Sequence, residues 1–454
     1  MSSEIQLLPN GTELVCFAGN VRVNALLNSG GQGEVYRVEL NSKEYAMKYY
    51  FPERMSEQMK VMYKKNLQYL IQNPIASKSF LWPIYLVDDG VGFGYIMELI
   101  PDGFAPVSDW EGDRLQTSSD IMAQWCVNIS DAFRQLHEMQ YSYKDISSNN
   151  IYLNPTTGEV LIIDNDNITK NLLPAQVSGT PGFRAPEIVE GSTSLPSMLT
   201  DLHSLAIVLF KVLCCEHPLH GAKEYDMSGL IDESERNRQL YGYDAQFIFA
   251  DTHNLDRYIS QESPAHLGAR DNWKMYPQSV KELFCSAFVD GIKCPHERPK
   301  ANKWMQAFQY MTKVYCECDK CKYPHFPEKA GKTFVCQHCG KILTAPTIAT
   351  ASASTSKYPG TATKRAPRIK IKNTIVELSN GAEIVAGHFE GLRGYPSSKL
   401  ILKAKWENGR LAIKNVEGFH LIANDKKVGR GEYTDWFSSN TKIIVEGLEC
   451  KIAF

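Results

Sequence analysis

No apolar stretch in these 454 residues is long enough to cross a bilayer. The longest, Leu205 to Cys215, spans 11 residues and is broken by Lys211, whereas a membrane-spanning helix needs about 20. The opening Met1-Ser2-Ser3-Glu4 lacks the basic segment and apolar core of a secretory leader. Neither sign of charge dominates, since the formal net charge is −2, so composition gives no whole-chain reason to expect nucleic acid. Large apolar residues nearly vanish between Ala345 and Arg368, a run of Ala, Thr, Ser, Pro and Lys. That stretch cannot bury enough surface to offset chain entropy and reads as a flexible linker. Cysteine is not scarce, but its arrangement excludes a small disulfide scaffold. The chain is long, and four of its 12 cysteines form two Cys-x-x-Cys pairs. That pattern points to metal in a reducing compartment, and hence to a cytoplasmic protein with no membrane partner.

What is present is a set of polar residues at telling intervals. Tyr143-Lys144-Asp145-Ile146-Ser147-Ser148-Asn149-Asn150 is followed by Leu161-Ile162-Ile163-Asp164. An Asn thus stands five residues after Asp145, and a second Asp 14 further on ends an apolar run. Phosphoryl transfer needs such side chains: one carboxylate accepts the hydroxyl proton, and an amide and a carboxylate hold magnesium. Upstream, Leu27-Asn28-Ser29-Gly30-Gly31-Gln32-Gly33-Glu34-Val35-Tyr36 lies between two β-like segments. Glycines there let a hairpin lie close over phosphates, where a Cβ would intrude. Glu44-Tyr45-Ala46-Met47-Lys48 then reads as a strand whose last residue is placed to meet phosphates. A plain Gly-rich hairpin and an exposed strand lysine are the bland alternatives, and the order of loop then lysine argues against both. Further on come Gly179-Thr180-Pro181-Gly182-Phe183-Arg184-Ala185-Pro186-Glu187, an apolar helix opening at Asp201, and Glu297-Arg298-Pro299.

Five motifs in this order resemble the Hanks-type, or eukaryotic-like, Ser/Thr protein kinases. The resemblance implies an α+β, two-lobed protein-kinase fold over residues 20–312, with the lobes meeting near 98–99 and residues 1–19 as an extension. It implies that Asp145 is the catalytic base and Lys48 the phosphate anchor, with Asn150 and Asp164 as magnesium ligands. Asn28, Gly30, Gly31 and Gly33 would cover the ATP phosphates. Val35 and Ala46 would roof the adenine pocket and Tyr152 floor it, with Met97 as gatekeeper and Glu98 and Leu99 as hinge. Glu187 and Arg298 would form a structural ion pair. Thr180 would help position Asp145, while Thr169, Ser178 and Thr180 are the hydroxyls open to autophosphorylation. The peptide-docking character of Gly179 to Glu187 implies protein substrates.

The chain also departs from that family. The family pairs its strand lysine with a helix Glu, but residues 63–67 are Tyr-Lys-Lys-Asn-Leu. Glu57 through a shifted helix, Asn66 or Gln68 are the alternatives, as is help from outside the chain. Ser147 replaces a Lys that steadies the transferred phosphate. Lys144 replaces an Arg that would bind a phosphorylated loop in bidentate fashion. Asn165-Asp166 replaces Phe-Gly, so that Asp166 is either a further metal ligand or merely solvated. A pseudokinase scaffold that binds nucleotide without efficient transfer is therefore the alternative to an active kinase.

Cys318-x-x-Cys321 and Cys336-x-x-Cys339, within 313–344, have the spacing of a zinc ribbon, two knuckles completing a tetrahedron of thiolates. Cys316 competes with Cys318 for one ligand place, and His325 and His338 are read as bystanders. After the linker at 345–368, residues 369–454 read as short β segments such as Arg410–Lys414 and Lys442–Glu446. They form a sandwich-like module that loosely resembles a forkhead-associated domain and would recruit a partner protein. The expected protein is an ATP-dependent Ser/Thr protein kinase using Mg2+ or Mn2+, with structural Zn2+. It resembles the kinase member of bacterial kinase–phosphatase–von Willebrand A systems.

Overall fold

The computed structural model describes residues 7–171, 179–193, 195–221, 224, 232–250, 267–348, 368–371, 374–378, 383–385, 400–407, 410–416, 419–423, 426–435, 437, 441–445 and 448–453. The chain divides into two compact units, Met1–Thr350 and Ala351–Phe454. Most of the expected linker, residues 349–367, lies outside the described residues.

The first unit begins with a closed barrel of antiparallel strands in the order β1-β2-β3-β4-β6-β5. These are β1 (Glu13–Cys16), β2 (Gly19–Ser29), β3 (Gly33–Leu40), β4 (Lys43–Tyr50), β5 (Tyr85–Asp88) and β6 (Phe93–Met97). Alternate residues point inward, so Val21, Val23, Tyr36, Val38, Met47 and Ile96 fill the barrel. Strand β1 precedes the boundary expected at residue 20, yet it closes the barrel through Cys16 opposite Val87. Leu7 and Leu8 tie down behind it, their amides donating to Glu34 Oε2 and Tyr36 Oη at 2.9 Å each. The strands pack closely around the lysine. A Cβ on Gly94 would lie 2.2 Å from the Lys48 carbonyl oxygen, and one on Gly33 2.2 Å from that of Tyr49.

Helix α1 (Glu57–Gln72) is capped by Ser56, whose side chain accepts from the Met59 amide, and it turns Tyr63, Leu67 and Leu70 inward. The large lobe is built on α2 (Ser119–Glu138) and α3 (Met198–Cys214). A capping box of Ser197 and Thr200 starts α3, which is apolar nearly all round and runs through the lobe centre. The helix Ala301–Val314 lies against α2. Trp273, Trp304, Phe210 and Phe284 pack in the common core. Among the described residues, no helix is long and apolar enough to cross a membrane.

The second unit contains a six-stranded antiparallel sheet and a three-stranded one. The six strands run, in sheet order, Thr374–Glu377, Arg368–Ile371, Leu448–Ala453, Thr441–Val445, Leu421–Ala423 and Lys426–Val428. The three are Glu383–Val385, Leu400–Glu407 and Arg410–Asn415. Ile369, Ile371, Ile443 and Val445 of one sheet share a core with Ile401, Leu402, Leu411 and Ile413 of the other. Buried Asn415 bridges two backbone carbonyls, donating to Phe419 O at 2.7 Å and to Val428 O, at the end of its strand, at 2.8 Å.

Candidate active site

A cleft of about 960 Å³ opens beneath the β2–β3 turn. The turn itself is closed by Gly30 N donating to Gly33 O at 2.9 Å. Asn28, Gly30, Gly31, Gly33 and Val35 line the cleft from above, with Ala46 and Lys48 on β4. Met97, Glu98 and Leu99 line its back, and Tyr152 lies in the short strand Ile151–Leu153 below. The Glu98 side chain pairs with Lys43 at 2.8 Å. Asp145, Asn150 and Asp164 line the same space, so every residue expected to bind nucleotide or metal for transfer shares one cavity. Gln32, Leu81, Asn149 and Ile163 line it too, and the sequence reading had not singled them out.

Below the cleft, the backbone around Asp145 is held from beneath. The buried Asp201 carboxylate accepts from Tyr143 N at 2.7 Å, Lys144 N at 2.9 Å and His137 Nε2 at 3.1 Å. Lys144 adopts a left-handed φ of 77° that turns its amide toward Asp201. Asp201 was read only as the opening of an apolar helix; its place at that helix start, beneath the catalytic segment, is the signal of its role. The Asp145 carboxylate is oriented from the other side, where Thr180 N and Oγ1 both donate to its Oδ1, at 2.8 and 2.7 Å. Asn150 Nδ2 folds back on Asp145 O at 2.9 Å, which spans the five-residue interval with one hydrogen bond. Thr169 meets the Lys144 ammonium through its hydroxyl. Burial pulls Lys144 down to about 8. Ser178 lies outside the described residues.

Two readings of the departures are corrected at Lys48. Glu57 does not reach it, for its side chain is 84% exposed and pairs with Lys60 at 2.7 Å. Asp166 is not solvated; its side chain is wholly buried and lies against Lys48 Nζ at 3.1 and 3.3 Å. Lys48 also pairs with Asp164 and donates to Gln32 Oε1 at 3.3 Å. Burial works against the ammonium, but the two carboxylates outweigh it and hold Lys48 above the ordinary lysine range. Burial pushes the Asp164 carboxyl up to about 6 despite Lys48, with Asp166 adding to the rise. Burial opposes the Asp166 charge as well, yet Lys48 and the Tyr50 hydroxyl keep it below the usual carboxylate range. Asn165, where the family has Phe, is buried and donates to Leu81 O and Ile162 O at 2.9 Å each. It occupies the apolar residue's place by donating its amide to two backbone carbonyls, Ile162 O also accepting from Leu81 N at 2.9 Å.

The segment from Gly179 to Glu187 is anchored to the large lobe. Ser204 Oγ donates to Phe183 O at 2.6 Å, and buried His217 Nε2 lies 2.8 Å from Gly182 O. Glu187 receives both Arg298 Nη1 and Nη2, at 2.8 and 2.7 Å, as a bidentate buried pair.

The sulfurs of Cys318, Cys321, Cys336 and Cys339 all lie within 4.8 Å of one another. A tetrahedral zinc with bonds of about 2.3 Å sets sulfurs about 3.8 Å apart, so the cluster fits that ion. The two knuckles repeat one turn. Lys322 N donates to Cys318 O at 2.7 Å and Gly340 N to Cys336 O at 2.9 Å. Lys322 and Gly340 both take a left-handed φ, 61° and 73°. Cys316 stands apart, paired across a two-stranded sheet with His325. His325 is not among the clustered ligand atoms, and its Nε2 lies 3.3 Å from Cys336 Sγ. The cluster rests on the large lobe: Phe326 packs on Tyr276 and Tyr315, and Gln278 N donates to Glu328 Oε2 at 2.6 Å.

Comparison with known proteins agrees with this geometry. Over 103 residues the chain is 32% identical to the serine/threonine-protein kinase WNK8 of Arabidopsis thaliana, covering 22% of this chain and 18% of that protein. It is 25% identical over 201 residues to the mitogen-activated protein kinase kinase kinase dlk-1 of Caenorhabditis elegans, covering 42% and 19%. It is 30% identical over 145 residues to the protein kinase C-like 1 of Candida albicans, covering 31% and 13%. The chain thus spans less than a fifth of the length of each of these relatives. The protein kinase domain family matches residues 21–307, well over half of the chain and most of the two lobes around the cleft. The chain therefore belongs to the protein kinase domain family.

Proposed function

We propose that the chain transfers the γ-phosphate of ATP to Ser or Thr hydroxyls of protein substrates. The observation that carries this reading is the double hydrogen bond from Thr180 to Asp145. It couples the peptide-docking segment to the side chain that would take the hydroxyl proton. Asn150 and Asp164 would hold Mg2+ or Mn2+, which supplies charge neutralisation at the phosphates when bound. Lys48 and the glycines of the β2–β3 turn would position those phosphates. Autophosphorylation at Thr169, Ser178 or Thr180 belongs to the same reading. Incubation with radiolabelled ATP, Mg2+ or Mn2+ and a generic protein substrate tests it. Label should enter Ser and Thr and be lost in Asp145→Asn while ATP binding persists. Binding without label would instead support a nucleotide-binding scaffold, a reading that Ser147 favours.

We further propose that the four-cysteine cluster is a structural zinc ribbon and that residues 369–454 form a β-sandwich recruiting a partner protein. Four clustered sulfurs and two sheets around one core support these readings. The order of kinase, ribbon and β module supports a cytoplasmic protein of bacterial kinase–phosphatase–von Willebrand A systems. A pull-down on the β module should capture the partner.

A further inference from the structure

A phosphate-anchoring lysine at the back of a closed cleft needs an anion that stays when metal claims the neighbouring aspartate. Without one, the buried ammonium would be uncompensated and would swing away or lose its proton. Helix α1 offers no such acid, since Glu57 is bound outside and the inward face carries Tyr63, Asn66, Leu67 and Leu70. The acid is supplied from the metal loop itself. Asp166 stands two residues after Asp164, wholly buried, with both carboxylate oxygens within 3.3 Å of Lys48 Nζ. Tyr50 donates to its Oδ2, and Tyr95 to its Oδ1 at 3.4 Å. The loop is clamped from α1 by Asn66, whose Nδ2 donates to Asp166 O at 2.9 Å and Ile168 O at 3.0 Å.

We infer that Asp166 is the positioning residue for Lys48, and that Asn66 locks it in register by gripping its backbone. The inference rests on the kinase reading and deepens it. The carboxylate facing Lys48 and the metal ligand then stand two residues apart: Asp166 lies in the three-residue turn Asn165–Asn167, and Asp164 enters it in left-handed conformation. Their relative placement follows from that turn and its clamp, with no carboxylate swung in by a mobile helix. Helix α1 acts through two backbone hydrogen bonds and carries no charge to the site. A role for Asp166 as a metal ligand is the competing reading. It is disfavoured because Lys48 and two tyrosine hydroxyls already occupy both oxygens.

The test uses the full chain with Asp166→Asn, Lys48→Met, the double variant and Asn66→Ala. Affinities for ATP with Mg2+ and for adenosine are measured by equilibrium titration. Displacing the lysine removes a phosphate contact and leaves the adenine pocket intact, so Asp166→Asn should weaken ATP about tenfold relative to adenosine. In turnover, kcat/KM should fall about 100-fold, as expected for a catalytic group misplaced by about 1 Å. The double variant should be no worse than Lys48→Met alone, and Asn66→Ala should shift both readouts in the same direction. The metal concentration for half-maximal rate should stay unchanged in Asp166→Asn. Equal loss of ATP and adenosine, additive effects with Lys48→Met, or a raised metal requirement would each overturn the inference. Should Asp166→Asn fail to fold, Asn66→Ala decides alone, and wild-type ATP-to-adenosine preference in it would refute the clamp. If wild-type chain transfers no phosphate, the kinase reading fails while the titrations still decide the role of Asp166.

Discussion

Replacing Arg298 by alanine probes how the docking segment is fastened to the large lobe. The guanidinium is fully buried and makes four hydrogen bonds. Two go to the Glu187 carboxylate, at 2.8 and 2.7 Å, and two to the Leu199 and Gly291 carbonyls, at 2.8 Å each. Gly291 is glycine for this reason, since a Cβ there would lie 2.6 Å from Arg298 Cγ. Truncation would leave the Glu187 carboxylate and the Gly291 carbonyl without the arginine, while Leu199 O keeps its place in the helix Met198–Cys214. Breaking a buried pair from one side costs about 3–5 kcal/mol. The Gly291 carbonyl adds to the unpaired carboxylate, and water entering the space left by the side chain offsets part of that cost, which places the expected loss near the middle of that range, about 4 kcal/mol. For a unit of this size each kcal/mol lowers Tm by about 2 °C, so the melt should move down about 8 °C. Thermal unfolding of the full chain, followed by tryptophan fluorescence, measures it, with buried Trp125, Trp273 and Trp304 reporting on the lobe. Glu187→Ala should cost a similar amount. The double variant should cost far less than the sum, with a coupling of about 2–3 kcal/mol. A shift under 2 °C for Arg298→Ala, or strict additivity in the cycle, would refute the reasoning.

Three further outcomes are expected. His203 is fully buried at the lobe centre, edge-on to Phe288 and near Arg298, with no hydrogen-bond partner for either ring nitrogen. Burial holds its pKa well below 6.5, so below that pH the unfolded chain binds a proton that the folded chain refuses. Stability falls there by about 1.4 kcal/mol per pH unit. His203→Leu should therefore gain about 2 kcal/mol more over wild type at pH 5 than at pH 7.5, and equal gains at both would show that the folded chain takes up the His203 proton as readily as the unfolded one. Gly33→Ala should lower Tm, by about 1–3 kcal/mol in stability, because its Cβ would strike Tyr49 O and crowd the Tyr50 backbone. Gly31→Ala meets nothing within 4 Å, so it should leave Tm unchanged and raise the ATP KM; equal Tm losses would refute the packing account. Metal analysis should find about one zinc per chain. Chelation or Cys336→Ser should open the segment from 316 to 344 to protease, which unchanged cleavage would contradict.

Much of the site was legible in the residues because its chemistry is local in sequence. The interval from Asp145 to Asn150 is set by one tight loop, and the two knuckles are each a four-residue turn. Strand positions in the second unit, such as Arg410–Asn415 and Thr441–Val445, followed from alternation of apolar and polar residues between turns. The misses share another property. Asp166 reaches Lys48 across 118 positions, Asn66 reaches Asp166 across 100, and Asp201 reaches Tyr143 across 58. A search along the helix for an acid to pair with Lys48 could find only Glu57. The partner lay on the turn Asn165–Asn167, where the neighbouring Asp164 made it look like a metal ligand.

The order of residues alone thus pointed to the cleft that Lys48, Asp145, Asn150 and Asp164 share and to the cluster of four cysteine sulfurs, since each depends on short spacings and side-chain type. Which carboxylate neutralises Lys48, what grips the catalytic loop from below, and whether residues ahead of 20 belong to the barrel were decided only by packing. A buried charge takes the opposite charge that the folded core brings within reach, and no spacing along the chain encodes that distance.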